Sequence, residues 1–295
     1  MKAADFKGGA CLQIDGLHLA LRARREQPAR LILRGIDLYV AKGEVHALVG
    51  ESGAGKSMVS RTVLGITPPG MAVLAGTVRI LGTDWLGLTP AQRRVQLGRD
   101  VALIPQDPLT ALNPSRRIGP QMTDRLVDIL CWTRANAEAR AIALLAEVQI
   151  TDPARVLRQY PHELSGGMRQ RILIASAFAA EPKLIVADEP TTALDVTVQK
   201  QILKLIAGMQ AKHGTALLFV THDLGVVSKV CQSLSVLYAG KVVESAEVRP
   251  FFAGPKHPYS AALLAATPKY TDPDAGLHPV PEAVIAAVRA EVEHG

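Results

Sequence analysis

Apolar residues recur along this chain in two rhythms. Over residues 12–21 they fall at many alternate positions, and after a polar, proline-containing gap (22–29) the same spacing returns over 31–40; both stretches predict strands. Residues 41–44 (Ala-Lys-Gly-Glu) form a turn, and 45–49 (Val-His-Ala-Leu-Val) are a short apolar strand of the kind a sheet buries on both faces. A helix-like stretch runs from the glycine-rich residues 50–57 to Leu64. Residues 73–81 predict a second strand–turn–strand region, and 101–105 another strand, stopped by Pro105 and Pro108. From 118 to 157 the spacing turns helical, with Ile142, Leu145, Val148 and Ile150 on one face, which predicts a helical insertion. A long apolar helix is expected at 172–180. Short apolar strands at 184–187, 216–220 and 234–238 alternate with helical patterns at 196–210 and 224–231. That alternation implies parallel strands joined by crossover helices, an α/β body. A short helix follows Lys256-His257-Pro258-Tyr259, and a Pro- and Asp-rich tail from 267 ends in a helix near 282–292.

Composition narrows the class. Apolar residues make up 48% of 295 and charged residues 20%, enough core and too little charge for a disordered chain. No run approaches the ~18 apolar residues of a membrane span, and the first twenty residues lack the apolar centre of a secretory signal. The net charge of +6 and only 4% aromatic residues do not point to a nucleic-acid binder. Cys11, Cys131 and Cys231 are odd in number and widely spaced, which suggests free thiols rather than disulfides or a zinc site.

Candidate chemistry concentrates at strand exits. Gly50, Glu51, Ser52, Gly53, Ala54, Gly55, Lys56 and Ser57 fit G-x-x-x-x-G-K-[ST] between a buried strand and a helix. Glycines there let backbone N–H groups converge on phosphate oxygens, Lys56 supplies a mobile cation for the outer phosphates, and the Ser57 hydroxyl can ligate Mg²⁺. The expected ligand is a nucleoside triphosphate. Asp188 and Glu189 leave the strand 184–187, where Asp188 can join the Mg²⁺ shell and Glu189 can polarise the attacking water. His222, after the strand 216–220, can donate to a γ-phosphate oxygen, and Gln106 can reach the metal or the water through its amide. Ser165 is a good helix N-cap, and Gly166 and Gly167 behind it leave N–H groups uncovered. They make a second anion site in a chain that already has one.

The run Leu164-Ser165-Gly166-Gly167-Met168-Arg169-Gln170-Arg171 resembles the signature sequence of the ATP-binding-cassette ATPases. The other parts follow in that family's order. Residues 50–57 resemble its Walker A, Gln106 its Q-loop, Asp188 and Glu189 its Walker B and catalytic glutamate, Ala193-Leu194-Asp195 its D-loop, and His222 its switch histidine. The resemblance implies an ABC-type P-loop NTPase fold: an antiparallel β subdomain, a RecA-like core and a helical insertion. The cassette would span 10–268, with a helical subdomain at about 107–180, and 269–295 would form a C-terminal tail. It also implies a head-to-tail dimer, with ATP and Mg²⁺ between Walker A of one chain and Ser165 and Gly167 of another, and a docking surface at 107–121 for a membrane partner.

Gln106-Asp-Pro, Asn113-Pro114, the run 160–171 and Lys256-His-Pro-Tyr-Ser resemble the peptide and nickel importer branch. There two different ATPase chains pair beneath two permeases fed by an extracytoplasmic solute-binding protein, on the cytoplasmic face of the cell membrane, with no nucleic acid involved. Expected cargo is a peptide, nickel or a metallophore. The alternative is a soluble accessory ATPase of an enzyme complex, of the phosphonate-degradation type. Two departures stand out. Many peptide-type members carry a cysteine cluster after the His-Pro-Tyr segment, but no Cys follows Cys231, so no iron–sulfur cluster is expected. Where the family usually places an aromatic residue under adenine, this chain has His18, Ala20 and Leu21, with Tyr39 further along.

Overall fold

The computed structural model describes residues 9–22, 29–192, 195–267 and 280–294. The strands among them are β1 (Ala10–Leu21), β2 (Arg30–Ala41), β3 (Val45–Val49), β4 (Met71–Ile80), β5 (Thr83–Asp84), β6 (Val101–Ile104), β7 (Leu184–Asp188), β8 (Ala216–Thr221), β9 (Ser233–Tyr238) and β10 (Lys241–Glu247). The chain divides into two compact units, one made of Met1–Gly87 with Leu218–Gly295, the other of Leu88–Leu217.

In the first unit, β1 pairs antiparallel with both β2 and β4, and β4 with β5. Alternating apolar positions supply its buried face, including Leu12, Ile14, Leu17 and Leu19. The expected turn within 73–81 is absent, and β4 runs unbroken through it. Gly76 (φ +93°) instead takes up an irregularity in the β1 pairing, where a side chain would stand 2.4 Å from the Gly16 carbonyl oxygen. The reversal comes later, at Leu81-Gly82.

The same unit holds β3 parallel to β9, with β10 closing an antiparallel hairpin on β9. Neither β10 nor the helix Val248–Ala253 was legible in the apolar pattern. All of β3 is buried, yet it contains a histidine. His46 is satisfied by Ser233 Oγ at 2.6 Å and Ser235 Oγ at 2.9 Å, and Glu44 accepts from the Ser233 hydroxyl. The His46–Ser233 contact is also a register pair, so this polar chain fixes β3 against β9 and with it the loop that β3 feeds. The helix Glu282–His294 packs Val288 and Val292 onto a core that includes Phe251, Tyr259 and Val236.

In the second unit, β6 runs parallel to β7. The expected helical insertion appears as Ile118–Asp128, Arg134–Glu147 and Pro153–Arg158, followed by Gly166–Phe178 and Val196–His213. A further helix, Pro90–Asp100, lacks a marked apolar face, although Thr89-Pro90-Ala91-Gln92 carries its start signal. Thr89 and Gln92 form a reciprocal capping box with Pro90 in the first turn. The Arg125 guanidinium donates to the Gly98 and Val101 carbonyls at 2.6 and 2.9 Å, tying the insertion to the start of β6. The expected D-loop residues Ala193 and Leu194 and the tail over 268–279 lie outside the described residues.

Candidate functional site

β3 delivers the chain out of a fully buried strand into Gly50. A side chain at Gly50 would lie 2.2 Å from the Leu237 carbonyl oxygen, so the exit path is open to glycine alone. Gly55 then serves as N-cap of the helix Lys56–Val63 without any side-chain cap; its carbonyl accepts from the Met58 and Val59 N–H groups, and the start of the helix is open to an acceptor at Ser57. No atom lies within 4 Å of where a Gly53 side chain would begin. Lys56 is 5% exposed, and its Nζ donates to the Gly50 and Glu51 carbonyls at 2.7 and 3.0 Å. The Ser57 hydroxyl follows on the exposed side of the helix start. A helix start without a side-chain cap, a nearby ammonium and the space beside Gly53 are features that can receive an anion. Glu51 and Ser52 are exposed next to Gly53, and Ala54 is buried.

His222 belongs to this first unit too. It is exposed just beyond β8, in a turn where Asp223 N–H donates to Thr221 Oγ1 and the Asp223 carboxylate caps the helix Leu224–Val230. At the proposed adenine position, Ala20 is buried, Leu21 is 39% exposed and His18 is half-buried, its ring nitrogen 2.9 Å from the Gly16 carbonyl oxygen. Tyr39 lies on β2 opposite Gln13. Burial, with the charge of Glu44, pushes its phenol up from the ordinary range.

In the second unit β7 ends on the half-buried Asp188, and Glu189 turns away with φ +45°, uncommon for a residue with a side chain. The Glu189 carboxylate accepts from Thr192 Oγ1 at 2.9 Å and from Gln106 Nε2 at 3.4 Å. The structure thus brings Gln106 and Glu189 together, and adds Thr192, which the sequence did not single out. Gln170 is a second addition. Fully buried, it donates through Nε2 to the Pro190 carbonyl at 2.8 Å, bracing the turn after Glu189 from the helix Gly166–Phe178. Its sequence signal is its place in the run 164–171.

Ser165 caps that same helix, accepting from Met168 N–H at 3.3 Å. Ser165 and Gly166 are exposed, and no atom lies within 4 Å of where a side chain on Gly166 or Gly167 would begin. Asp195 accepts from the Thr197 and Val198 N–H groups at 3.0 and 2.9 Å, a cap for the helix Val196–His213. In the stretch 107–121, the Gln121 amide holds the loop by donating to the Asn113, Arg116 and Arg117 carbonyls. Leu109 stands 63% exposed beside it.

Comparison with known proteins decides the family. The family model described as ABC transporter matches residues 33–192, more than half of the chain. The chain belongs to the ABC transporter ATPases. A probable D,D-dipeptide transport ATP-binding protein from Escherichia coli is 47% identical over 253 residues, covering 85% of this chain and 77% of that one. An oligopeptide transport ATP-binding protein from Lactococcus lactis is 44% identical over 249 residues, covering 84% and 74%. Among solved structures, a dimeric ATP-binding cassette bound to ADP and phosphate in a post-hydrolysis state aligns with TM-score 0.70 at 23% identity, covering 81% of this chain and 99% of that one. The cbiO1 protein from Clostridium perfringens also aligns with TM-score 0.70, at 24% identity over 83% and 91%. These likenesses carry the fold: this ABC ATPase has the α/β cassette architecture that its motifs led one to expect. It is an ATP-binding ATPase, and its similar curated relatives include dipeptide and oligopeptide transport proteins.

Proposed function

We propose that this chain is the ATP-hydrolysing subunit of an importer for dipeptides or oligopeptides, working in a head-to-tail pair of ATPase subunits. The observation that carries the paired arrangement is the vacant space over Gly166 and Gly167. Nothing in the packing of the described residues requires glycine there, so the N–H groups they uncover serve an anion brought by another subunit. Peptide cargo is favoured over nickel or a metallophore, and transport over a soluble accessory role, by the curated relatives named for peptide transport. With the transport relatives, the reading includes two permease subunits, a solute-binding protein and a peripheral place at the cytoplasmic face; no helix among the described residues is long and apolar enough to cross a membrane.

The residues divide the work in this reading, with Gln106 serving both the metal and Glu189. Backbone N–H groups of 50–57 and Lys56 hold the phosphates. Ser57, Asp188 and Gln106 offer the hard oxygen donors that suit Mg²⁺, which neutralises charge on the phosphate oxygens when bound. Glu189 accepts the proton of the attacking water, with Gln106 and Thr192 fixing its orientation. His222 donates to the terminal phosphate. Asp195 borders the seam.

Ser165→Arg tests the pairing. It is expected to impair ATP turnover at the partner subunit's site while this chain's Lys56-dependent nucleotide binding stays within about twofold, a change below the tenfold that ~1.4 kcal/mol represents. Loss confined to the mutated chain's own site would contradict the shared seam.

A further inference from the structure

The second unit carries a cavity of about 470 Å³ that none of the ATPase residues enters. One wall is a stripe of the helix Val196–His213 in which Lys204, Leu205, Gly208 and Met209 follow one another at helical spacing. The facing wall is Arg171, near the start of the helix that Ser165 caps. The size falls in the range of small-molecule sites. The charges are unequal. Glu147, the one acid in the lining, is already met by Lys212 at 2.9 Å and His213 at 3.1 Å. Arg171 is held by neutral oxygens, Val148 O at 2.9 Å, Gln149 Oε1 at 3.1 Å and Gln201 Oε1 at 3.4 Å, which fix its plane without cancelling its charge. Lys204 adds a second, exposed cation. Beneath them lie Leu205 and Met209, and no atom approaches within 4 Å of where a Gly208 side chain would begin, so the helix backbone is open to a ligand there.

We infer that this groove binds a small amphiphilic carboxylate, its anionic end against Arg171 and Lys204 and its aliphatic part over Gly208, Leu205 and Met209. Such a ligand bridges the helix of the signature glycines and the helix that Asp195 caps, two elements whose starts carry proposed nucleotide-site residues. The chemistry has two sources, a short apolar peptide with a free carboxylate or an aliphatic metabolic acid.

Calorimetric titration of the full chain with the dipeptide Leu-Leu, its C-terminal amide, 4-methylpentanoate and inorganic phosphate tests the site. Saturable binding of at least one of the two carboxylates is expected, and whichever is tighter assigns the source. The amide should bind at least tenfold more weakly than Leu-Leu if the dipeptide is the ligand. Gly208→Leu, which fills the groove and improves helix propensity, should abolish binding, and Lys204→Glu should weaken it at least tenfold. ATP binding should be unchanged in both variants. No saturable carboxylate binding, phosphate binding as tight as either carboxylate, an amide equal to a dipeptide that binds, or full binding by folded Gly208→Leu would overturn the assignment.

Discussion

Two glycine-bearing helix starts in this ABC ATPase look alike on paper and differ in what surrounds them. At Gly50 and Gly55 the glycines answer to their own chain. Gly50 passes so close to Leu237 that a methyl group has no place, and the Lys56 ammonium is folded against two carbonyls of its own loop. At Ser165, Gly166 and Gly167 no atom presses, the serine caps its helix in the ordinary way, and two of the three residues are exposed. A glycine kept where nothing in the fold requires it, at the cost of helix propensity, marks room reserved for something outside the fold. The first region is shaped by the packing of its own chain, and the second is left open.

Substitution should separate the two sharply. Gly50→Ala is expected to eliminate ATP binding and to cost about 1–3 kcal/mol of stability through overpacking. Gly167→Ala should leave ATP binding by the isolated chain intact, hold or raise stability by up to about 1 kcal/mol, and lower turnover only in the assembled pair. Calorimetry with a thermal melt reads both, and equal losses at the two positions would erase the distinction. Glu189→Gln divides holding from hydrolysing: phosphate release should fall at least about a hundredfold while nucleotide affinity persists. Asp195→Ala tests the cap of the helix Val196–His213 with an expected loss of about 1 kcal/mol, read from urea unfolding.

The smallest effect concerns acid. Burial pushes the Glu244 carboxyl up, but N–H groups of Lys256 and His257 donating to it more than offset this and hold it below the ordinary carboxylate range. Its stabilisation is therefore present above the unfolded carboxylate value and fades as pH falls through the lower folded one. Glu244→Gln should lose less stability between pH 7 and acid than the parent chain, seen as a smaller shift in the urea midpoint.

Much of the fold was legible because period and punctuation agreed. The run 45–49, the cradle after it and the strands 184–187 and 216–220 are short apolar segments whose exits carry polar chemistry. The misreadings have physical causes. Residues 73–81 read as strand–turn–strand, yet Gly76 answers a close approach by Gly16 from a strand sixty residues earlier in sequence, a contact no local pattern reports. β10 is half-exposed along its length, so it lacks the apolar run that marked its neighbours. At the site, residue types at strand ends named Gln106, Asp188 and Glu189. Thr192 and Gln170 escaped because their roles come from contacts, a hydroxyl aimed at a carboxylate and a buried amide bracing a turn.

The last described helix has a practical corollary. Val288 and Val292 lie on the same greasy floor as Tyr259 and Phe251, and Glu291 reaches His257 at 3.2 Å. Anyone ending the polypeptide at residue 268 would remove these valines from the unit that carries residues 50–57. Sticky, poorly soluble material would follow for reasons unconnected with ATP.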